Sequence, residues 1–271
     1  MIEFYQNLPS YISPIVFSIG NFSLYWYSLM WLVSFVVVYL LLIFRIKKGE
    51  GNFKKSFIQD IVANSIIGAL IGGRLGYVIF YDLPYYIINP LQIISPYNFT
   101  TGEWSGIYGM SYHGGIIGVA IAIIWTARKN KKDILEVADF IMPVIPIGYM
   151  FGRIGNFLNA ELIGRVTESK LGMYFNGDVV ARYPSQLVEA FLEGFVLFII
   201  LWSLRNKNLP KGMMVSFYLI GYSVARFGVE FIRQPDEHLG FILGQVTMGQ
   251  LLSLIMLFTG CVMLLRSLKN K

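Results

Sequence analysis

The sequence predicts an all-α integral membrane protein, a single polytopic helical bundle with about seven transmembrane helices. The 271-residue chain is 55% hydrophobic and 14% charged, and its mean hydropathy is +0.59. A soluble domain would carry roughly a quarter charged residues. Two further observations favour this fold: long apolar runs recur along the chain, and basic segments alternate with segments that are poor in lysine and arginine.

The apolar runs predict the elements in order. A helix needs ~20 apolar residues to cross a bilayer. The predicted spans lie near 22–44, 60–81, 106–127, 137–158, 186–204, 213–232 and 245–265. Because they leave no room for a separate soluble domain, residues 1–271 are predicted to form one membrane domain. No basic segment precedes the first run, so it is predicted to be a retained helix rather than a cleaved signal peptide.

Basic residues predict the orientation of the spans. They cluster in RIKKGEGNFKK (45–55), RKNKK (128–132), RNKNLPK (205–211) and RSLKNK (266–271). By the positive-inside rule these segments are cytoplasmic, which puts the N-terminus outside and the C-terminus inside. The net charge of +6 therefore reflects topology and does not indicate binding to nucleic acid.

Two long connections are then external. Residues 159–185 are polar and are predicted to form a small external cap, a candidate docking place for a peptide. Residues 82–105 are rich in aromatic residues and proline. They are predicted to be either an arm lying on the outer membrane surface or a plain connecting loop.

Ionisable residues inside the apolar runs are the main indication of function. Given the predicted directions, Arg74, His113, Arg153, Arg226 and Glu230 all fall toward the outer ends of their spans. An arginine in the bilayer core costs at least ~2.5–3.5 kcal/mol, so it needs a partner or a purpose. The shared depth predicts a polar cavity that opens outward.

Helical spacing supports this prediction. Arg226, Glu230 and Arg233 are spaced i, i+4, i+7, and Arg153 and Asn156 are spaced i, i+3, so each group shares one helix face. Glycine-rich segments at the same level allow helices to approach closely. Structural alternatives remain open for several of these residues. Arg226 and Glu230 would form an ion pair without a further role, the His113 imidazole would form an interhelical hydrogen bond, and Arg74 would extend to the outer head groups.

These residue types suit an anionic, phosphate-bearing ligand. Arginine binds phosphate through a bidentate fork, and the imidazole of His113 can accept a proton near neutral pH. No serine or cysteine stands out as a nucleophile, and with two histidines and one cysteine no metal site is predicted. The residues alone leave group transfer and transport open.

Four motifs carry a resemblance to a known family. HGGIIG (113–118), GRIGNFLNAELIGRVT (152–167), YPSQLVEA (183–190) and RFGVEFIRQPDEHLG (226–240) resemble the signatures of the prolipoprotein diacylglyceryl transferase family. SLYWYSLMW (23–31) resembles the first-helix motif of that family. The motifs follow the family order over nearly the whole chain. Tyr183 and Val188 depart from it, since the family often has histidine and an aromatic residue there.

The resemblance implies an enzyme of the bacterial cytoplasmic membrane whose active site faces the outer leaflet. It would move the diacylglyceryl group of phosphatidylglycerol to the thiol of the lipobox cysteine in a prolipoprotein signal peptide. The products would be a thioether and glycerol 1-phosphate. No metal or organic cofactor is implied.

Roles for the site residues follow from the same resemblance. Arg153 and Arg226 would hold the phosphate, and His113 would accept the thiol proton, with Glu161 or Glu230 as alternative bases. The residues predicted to bind or shape the substrate site are Tyr27, Arg74, Asn156, Asn159, Glu161, Gly164, Glu230 and Arg233. Within this set Glu230 would position an arginine, and Arg74 and Arg233 are either catalytic or structural.

The alternative hypothesis is a transporter or flippase for an anionic, phosphate-bearing ligand. A transporter would usually also need charged residues or broken helices toward the cytoplasmic side. The inner halves of the predicted spans carry little beyond Asp60, Asp139 and Glu193. The transferase hypothesis is therefore favoured.

Overall fold

The computed structural model describes residues 2–20, 22–98, 102–104, 109–235, 240–242, 244 and 246–269. Parts of several predicted features lie outside the described residues. They are the starts of the 106–127 and 245–265 spans, parts of the 82–105 segment, the DEHL part (236–239) of the last motif, and the end of the basic tail.

The described residues are mostly helical, as predicted. The helices are α1 (Ile2–Gln6), α2 (Trp26–Lys47), α3 (Lys55–Phe80), α4 (Leu83–Ile88), α5 (Tyr112–Lys129), α6 (Ile134–Ile141), α7 (Ile145–Leu158), α8 (Ser185–Glu189), α9 (Leu197–Leu204), α10 (Met213–Val229) and α11 (Met248–Lys269). Short 3-10 helices are Leu8–Tyr11, Pro90–Ile93 and Met142–Val144, and Ala190–Val196 is π-helical. Antiparallel strand pairs are β1 (Ile15–Ile19) with β2 (Phe22–Tyr25), β3 (Tyr97–Asn98) with β4 (Glu103–Trp104), and β5 (Phe241–Ile242) with β6 (Val246–Thr247).

Five helical segments of the described chain are long and apolar enough to cross a membrane. They are Trp26–Lys47, Lys55–Phe80, Ile134–Leu158, Ser185–Leu204 and Met248–Lys269. The protein is therefore a multi-pass membrane protein. The other two predicted spans also contain helices, α5 and the shorter apolar helix α10, so the count of seven stays a prediction. The helix of the first predicted span, α2, begins at Trp26 and not at residue 22, because residues 22–25 pair with β1.

The chain divides into two compact units. The second unit, Asn52–Ile134, is built on the pair α3 and α5. Glycines line the contact on both helices: a Cβ on Gly72 would lie 2.8 Å from the Gly118 Cα, and a Cβ on Gly76 would lie 2.8 Å from the Gly114 Cα. The two backbones therefore touch without intervening side chains, as small residues permit between membrane helices. We call this contact, formed by Gly68, Gly72, Gly76, Gly114 and Gly118, the glycine seam.

The first unit comprises Met1–Gly51 and Leu135–Lys271. Within it α2 packs on α7 and α10 packs on α11. The α7 glycine Gly155 makes the first contact close, since a Cβ there would lie 3.2 Å from the Tyr27 Cα. The π-helical turn joins α8 to α9 in one helical segment, and its Gly194 packs directly on the Met150 backbone of α7.

Residues 159–185 of this unit fold against the N-terminal residues. Phe157, Met173 and Phe175 form a small buried core. The Tyr174 amide donates to the Gln6 carbonyl at 2.8 Å, and the Tyr5 hydroxyl donates to a carbonyl of the segment at 3.1 Å. Partial burial raises the pKa of Tyr5 above its usual value. The segment is thus an ordered element that extends the end of α7.

Candidate functional site

Buried charged side chains meet in the first unit, where α7, α8, the π-helical turn and α10 come together. Three are arginines and three are glutamates: Arg153, Arg226, Arg233, Glu189, Glu193 and Glu230. The glutamates are at most 1% exposed. We call this group the Arg–Glu cluster. Its formal charges of opposite sign are equal in number, which is what burial of so many charges requires.

Arg226 lies at the centre of the cluster. Its Nη2 is 2.6 Å from Glu230 Oε1, and its Nη1 is 2.9 Å from Glu189 Oε2 and 3.7 Å from Glu193 Oε1. The predicted i, i+4 pairing with Glu230 is therefore present. One guanidinium thus joins carboxylates from three helical elements.

Arg153 lies on α7, facing the same carboxylates. Its Nε is 2.9 Å from Glu189 Oε2 and donates to the Tyr149 hydroxyl at 2.7 Å. Its Nη1 donates to Asn156 Oδ1 at 3.3 Å. The predicted i, i+3 pair is thus in contact, and it connects the cluster to the end of α7.

Two glutamates reach the same arginine from one helical segment. Glu189 ends α8, and Glu193 lies four residues later within the π-helical turn Ala190–Val196. Residues spaced i, i+4 lie on one face of a helix, and both carboxylates contact Arg226. π-helical turns are frequent at functional sites.

The second carboxylate oxygen of Glu230 is held by the start of α11. Thr247 Oγ1 donates to Glu230 Oε2 at 2.6 Å. The same hydroxyl accepts from the Gln250 amide at 3.1 Å, and Gln250 Oε1 accepts from the Thr247 amide at 3.0 Å. This reciprocal pair is a capping box. Gly249 leaves room for the carboxylate, since a Cβ there would lie 2.5 Å from the Glu230 Cδ.

Arg233 follows α10 and completes the cluster. Its Nη1 lies 3.4 Å from Glu230 Oε1, and its Nε lies 3.8 Å from Glu189 Oε1. Arg165 holds the backbone here, because its Nε donates to the Arg233 carbonyl and its Nη2 to the Glu230 carbonyl, each at 2.9 Å. Gly164 allows this approach, since a Cβ would lie 2.7 Å from the Ile232 carbonyl oxygen.

The asparagines at the end of α7 connect the cluster to the start of α2. Asn156 Nδ2 and Asn159 Nδ2 donate to the two oxygens of Glu161 at 3.5 and 3.2 Å. Asn159 Oδ1 accepts from the Tyr27 amide at 3.1 Å. It is thus the backbone of Tyr27 that contacts the predicted site residues, while its ring lies edge-on to that of Trp31 at 6.2 Å.

Arg74 and His113 belong to the second unit. Arg74 donates to the carbonyls of Gln92 at 2.6 Å, Ile93 at 2.8 Å and Gly109 at 3.2 Å, and its guanidinium lies over the Tyr86 ring. These contacts hold the chain that follows α4. His113 is exposed in the first turn of α5.

Sequence reasoning missed four residues of this site: Tyr149, Arg165, Glu189 and Glu193. Glu193 had been counted among features of an inner half-span, whereas it lies against Arg226. A signal was present, because Glu189 and Glu193 are two carboxylates one turn apart in an apolar run, and each needs a buried cation. Among the described residues no group of histidine, cysteine and carboxylate side chains could hold a metal ion.

Comparisons with known proteins agree on one family. The family model described as prolipoprotein diacylglyceryl transferase matches residues 14–266. The chain is similar to a phosphatidylglycerol–prolipoprotein diacylglyceryl transferase of Chlorobaculum tepidum, with 46% identity over 96% of this chain and 92% of the relative. It is also similar to proteins of the same name from Bordetella avium, with 42% identity over 97% and 96%, and from Proteus mirabilis, with 43% identity over 95% and 92%.

Proposed function

The chain belongs to the prolipoprotein diacylglyceryl transferase family, and from this premise we propose the reaction that it catalyses. It transfers the diacylglyceryl group of phosphatidylglycerol to the thiol of the lipobox cysteine in a prolipoprotein. The sulfur forms a bond to the terminal glyceryl carbon, and the bond from that carbon to the phosphate oxygen breaks. The electron pair stays on the phosphate, and the products are a thioether and glycerol 1-phosphate.

The observation that supports the proposed site is the Arg–Glu cluster, together with Asn156 and Asn159, which connect it to the end of α7. As the carbon–oxygen bond breaks, one more negative charge develops on the phosphate, and a fixed cation stabilises it. Arg153 suits this role because it lies at the Asn156 side of the cluster. Arg226 faces three carboxylates, so we assign it chiefly to holding them, and through Glu189 to holding Arg153.

The base that takes the thiol proton is assigned to His113. Thiolate is the effective nucleophile, and the exposed imidazole of His113 has a ring nitrogen that can accept its proton. Glu230 suits this role less, because both of its oxygens already accept contacts from Arg226, Arg233 or Thr247. Glu161 is exposed and stays the alternative base.

The remaining predicted residues support the substrates. Asn156, Asn159, Glu161 and Gly164 shape the entrance at the end of α7, and the Tyr27 backbone anchors it. The proposed setting is the bacterial cytoplasmic membrane, crossed seven times, with the N-terminus outside and the site toward the outer leaflet. Residues 159–185 would then be the external cap, and α4 with the following 3-10 helix would lie on the outer surface. Exposed Ile87, Ile88, Leu91 and Ile94 support that arm.

The test uses purified protein in detergent with phosphatidylglycerol and a synthetic lipobox peptide, and it measures release of glycerol phosphate. We expect release that requires the peptide thiol and falls at least a hundredfold in Arg153→Ala. A peptide with serine in place of cysteine is the matched substrate control. Release that is independent of the thiol would contradict transfer to cysteine. Unchanged turnover of His113→Gln across pH 6–9 would move the base assignment to Glu161.

A further inference from the structure

We infer that Tyr149 is a positioning residue for Arg153: its hydroxyl bridges the guanidinium and the carboxylates of Glu189 and Glu193, and so fixes the direction in which Arg153 faces. The inference rests on the proposed function, in which Arg153 holds the phosphate.

The hydroxyl of Tyr149 lies between groups of opposite charge. Tyr149 is one turn before Arg153 on α7, and its oxygen accepts from Arg153 Nε at 2.7 Å. The same hydroxyl contacts Glu193 Oε2 closely and lies 3.3 Å from Glu189 Oε2. A phenol has one proton to donate and lone pairs to accept with. The guanidinium can only donate, so the phenol proton lies on the carboxylate side and the oxygen presents its lone pairs to Arg153.

The ring of Tyr149 is fixed independently of this hydroxyl. Its centroid lies 5.7 Å from that of Tyr222 of α10, with the planes at 89°. The Arg153 guanidinium carbon lies 4.9 Å from the Tyr149 centroid. The contact with the Tyr222 ring survives when only the oxygen is removed. Phenylalanine at this position is therefore a clean probe of the hydrogen bonds.

The bridge matters because Arg153 faces two attractions. The carboxylate of Glu189 lies 2.9 Å from its Nε, while the Asn156 amide oxygen lies 3.3 Å from its Nη1. Ion attraction has little directionality, whereas a hydrogen bond to a fixed oxygen is directional. Without that oxygen, the guanidinium moves toward Glu189 and away from Asn156. Small misplacements of a group that acts in the transition state cost large factors in rate.

The experiment is a double-mutant cycle of Tyr149 and Arg153 in the full-length protein, assayed with phosphatidylglycerol and the lipobox peptide. We expect Tyr149→Phe to lower kcat roughly tenfold and to leave both KM values within about twofold. Arg153→Lys keeps the charge but has no Nε–H donor. In that background we expect Tyr149→Phe to leave kcat unchanged, a non-additivity that a purely structural role would not produce. Tyr5→Phe, which loses a hydroxyl bond to the Leu171 carbonyl outside the cluster, is the matched control and should keep wild-type kcat.

Two results would overturn the inference: wild-type kcat in Tyr149→Phe, or the same loss of kcat in both Arg153 backgrounds. If Tyr149→Phe does not fold, Glu193→Gln and Glu193→Met replace it. Both remove the charge, but only glutamine keeps an oxygen that accepts from the phenol. We expect the kcat of Glu193→Gln to be about tenfold higher than that of Glu193→Met. Equal kcat values in these two variants would contradict the bridge. Wild-type protein that releases no glycerol phosphate would refute the proposed function itself, which is a separate outcome.

Discussion

The Arg–Glu cluster and the glycine seam are both places where helices meet, and they do so by opposite means. In the cluster, long charged side chains fill the space between helices, and ion pairs join α7, α8, the π-helical turn and α10. In the seam there are no side chains, and the α3 and α5 backbones touch. The seam can fail only sterically. The cluster can also fail electrostatically, and it alone carries groups that can act on a phosphate.

The largest effect is expected from removing the centre of the cluster. Arg226→Ala leaves Glu189, Glu193 and Glu230 buried without the guanidinium that joins them. Breaking a buried ion pair by removing one partner costs about 3–5 kcal/mol of unfolding free energy. We expect that loss, seen as a lowered thermal midpoint in detergent, together with transfer activity below detection.

The control for this variant is Asp178→Ala, which removes an ion pair at the surface and leaves the bond from Arg182 to the Gly164 carbonyl in place. Arg182 lies 3.6 Å from Asp178, and their side chains are 22% and 46% exposed. Exposed ion pairs contribute at most about 1 kcal/mol, so the midpoint should hardly change. Equal destabilisation by the two variants would mean that the cluster stabilises no more than an exposed ion pair does.

A smaller, purely steric effect is expected in the seam. In Gly118→Ala the new methyl would lie 2.8 Å from the Gly68 carbonyl carbon and 3.0 Å from the Gly72 Cα, so α3 and α5 must separate. Overpacking of this kind costs about 1–3 kcal/mol. Gly115→Ala on the same helix is the matched control, because within the described part of the chain its Cβ would meet only Ala69 O at 3.6 Å. It should gain about 0.5–1 kcal/mol from helix propensity, so the two substitutions should shift the thermal midpoint in opposite directions.

Within the Arg–Glu cluster, the sequence predicted the residues of α10 and its end better than the residues of the helices that face them. Spacing alone placed Arg226, Glu230 and Arg233 on one face, and they do meet. Glu193 was counted with the inner half-spans and was not linked to Arg226, which it approaches to 3.7 Å. Its i, i+4 spacing to Glu189 was a signal that the α-helical period already contains. Tyr149 could not be singled out, since its role depends on a hydroxyl that reaches another helix.

Loops limited the prediction in a similar way. Arg165 holds the carbonyls that follow α10, a contact that exists only once residues 159–185 have folded. Arg74 was recognised as costly in a membrane, but its partners are backbone carbonyls, which no side-chain pattern reveals. The helices themselves were predicted well, since hydropathy reports them directly. The starts of two spans differ: residues 22–25 form a strand before α2, and α5 begins only at Tyr112.

The smallest effect is expected from removing an uncharged group, the Thr247 hydroxyl, that supports the charges of the cluster. Thr247→Val removes the hydroxyl that donates to Glu230 Oε2 and that caps the first turn of α11. Loss of a helix cap costs about 0.5–2 kcal/mol, and we expect a cost of about 1–2 kcal/mol because a buried carboxylate oxygen also loses its donor. Thr259→Val is the control on the same helix, because its exposed hydroxyl only donates to Ile255 O one turn back; it should change the unfolding free energy by less than about 0.5 kcal/mol. If the two variants lower the thermal midpoint equally, Glu230 is held by Arg226 and Arg233 alone. If Thr247→Val has the lower thermal midpoint but keeps its kcat, the hydroxyl stabilises the cluster without orienting the arginines.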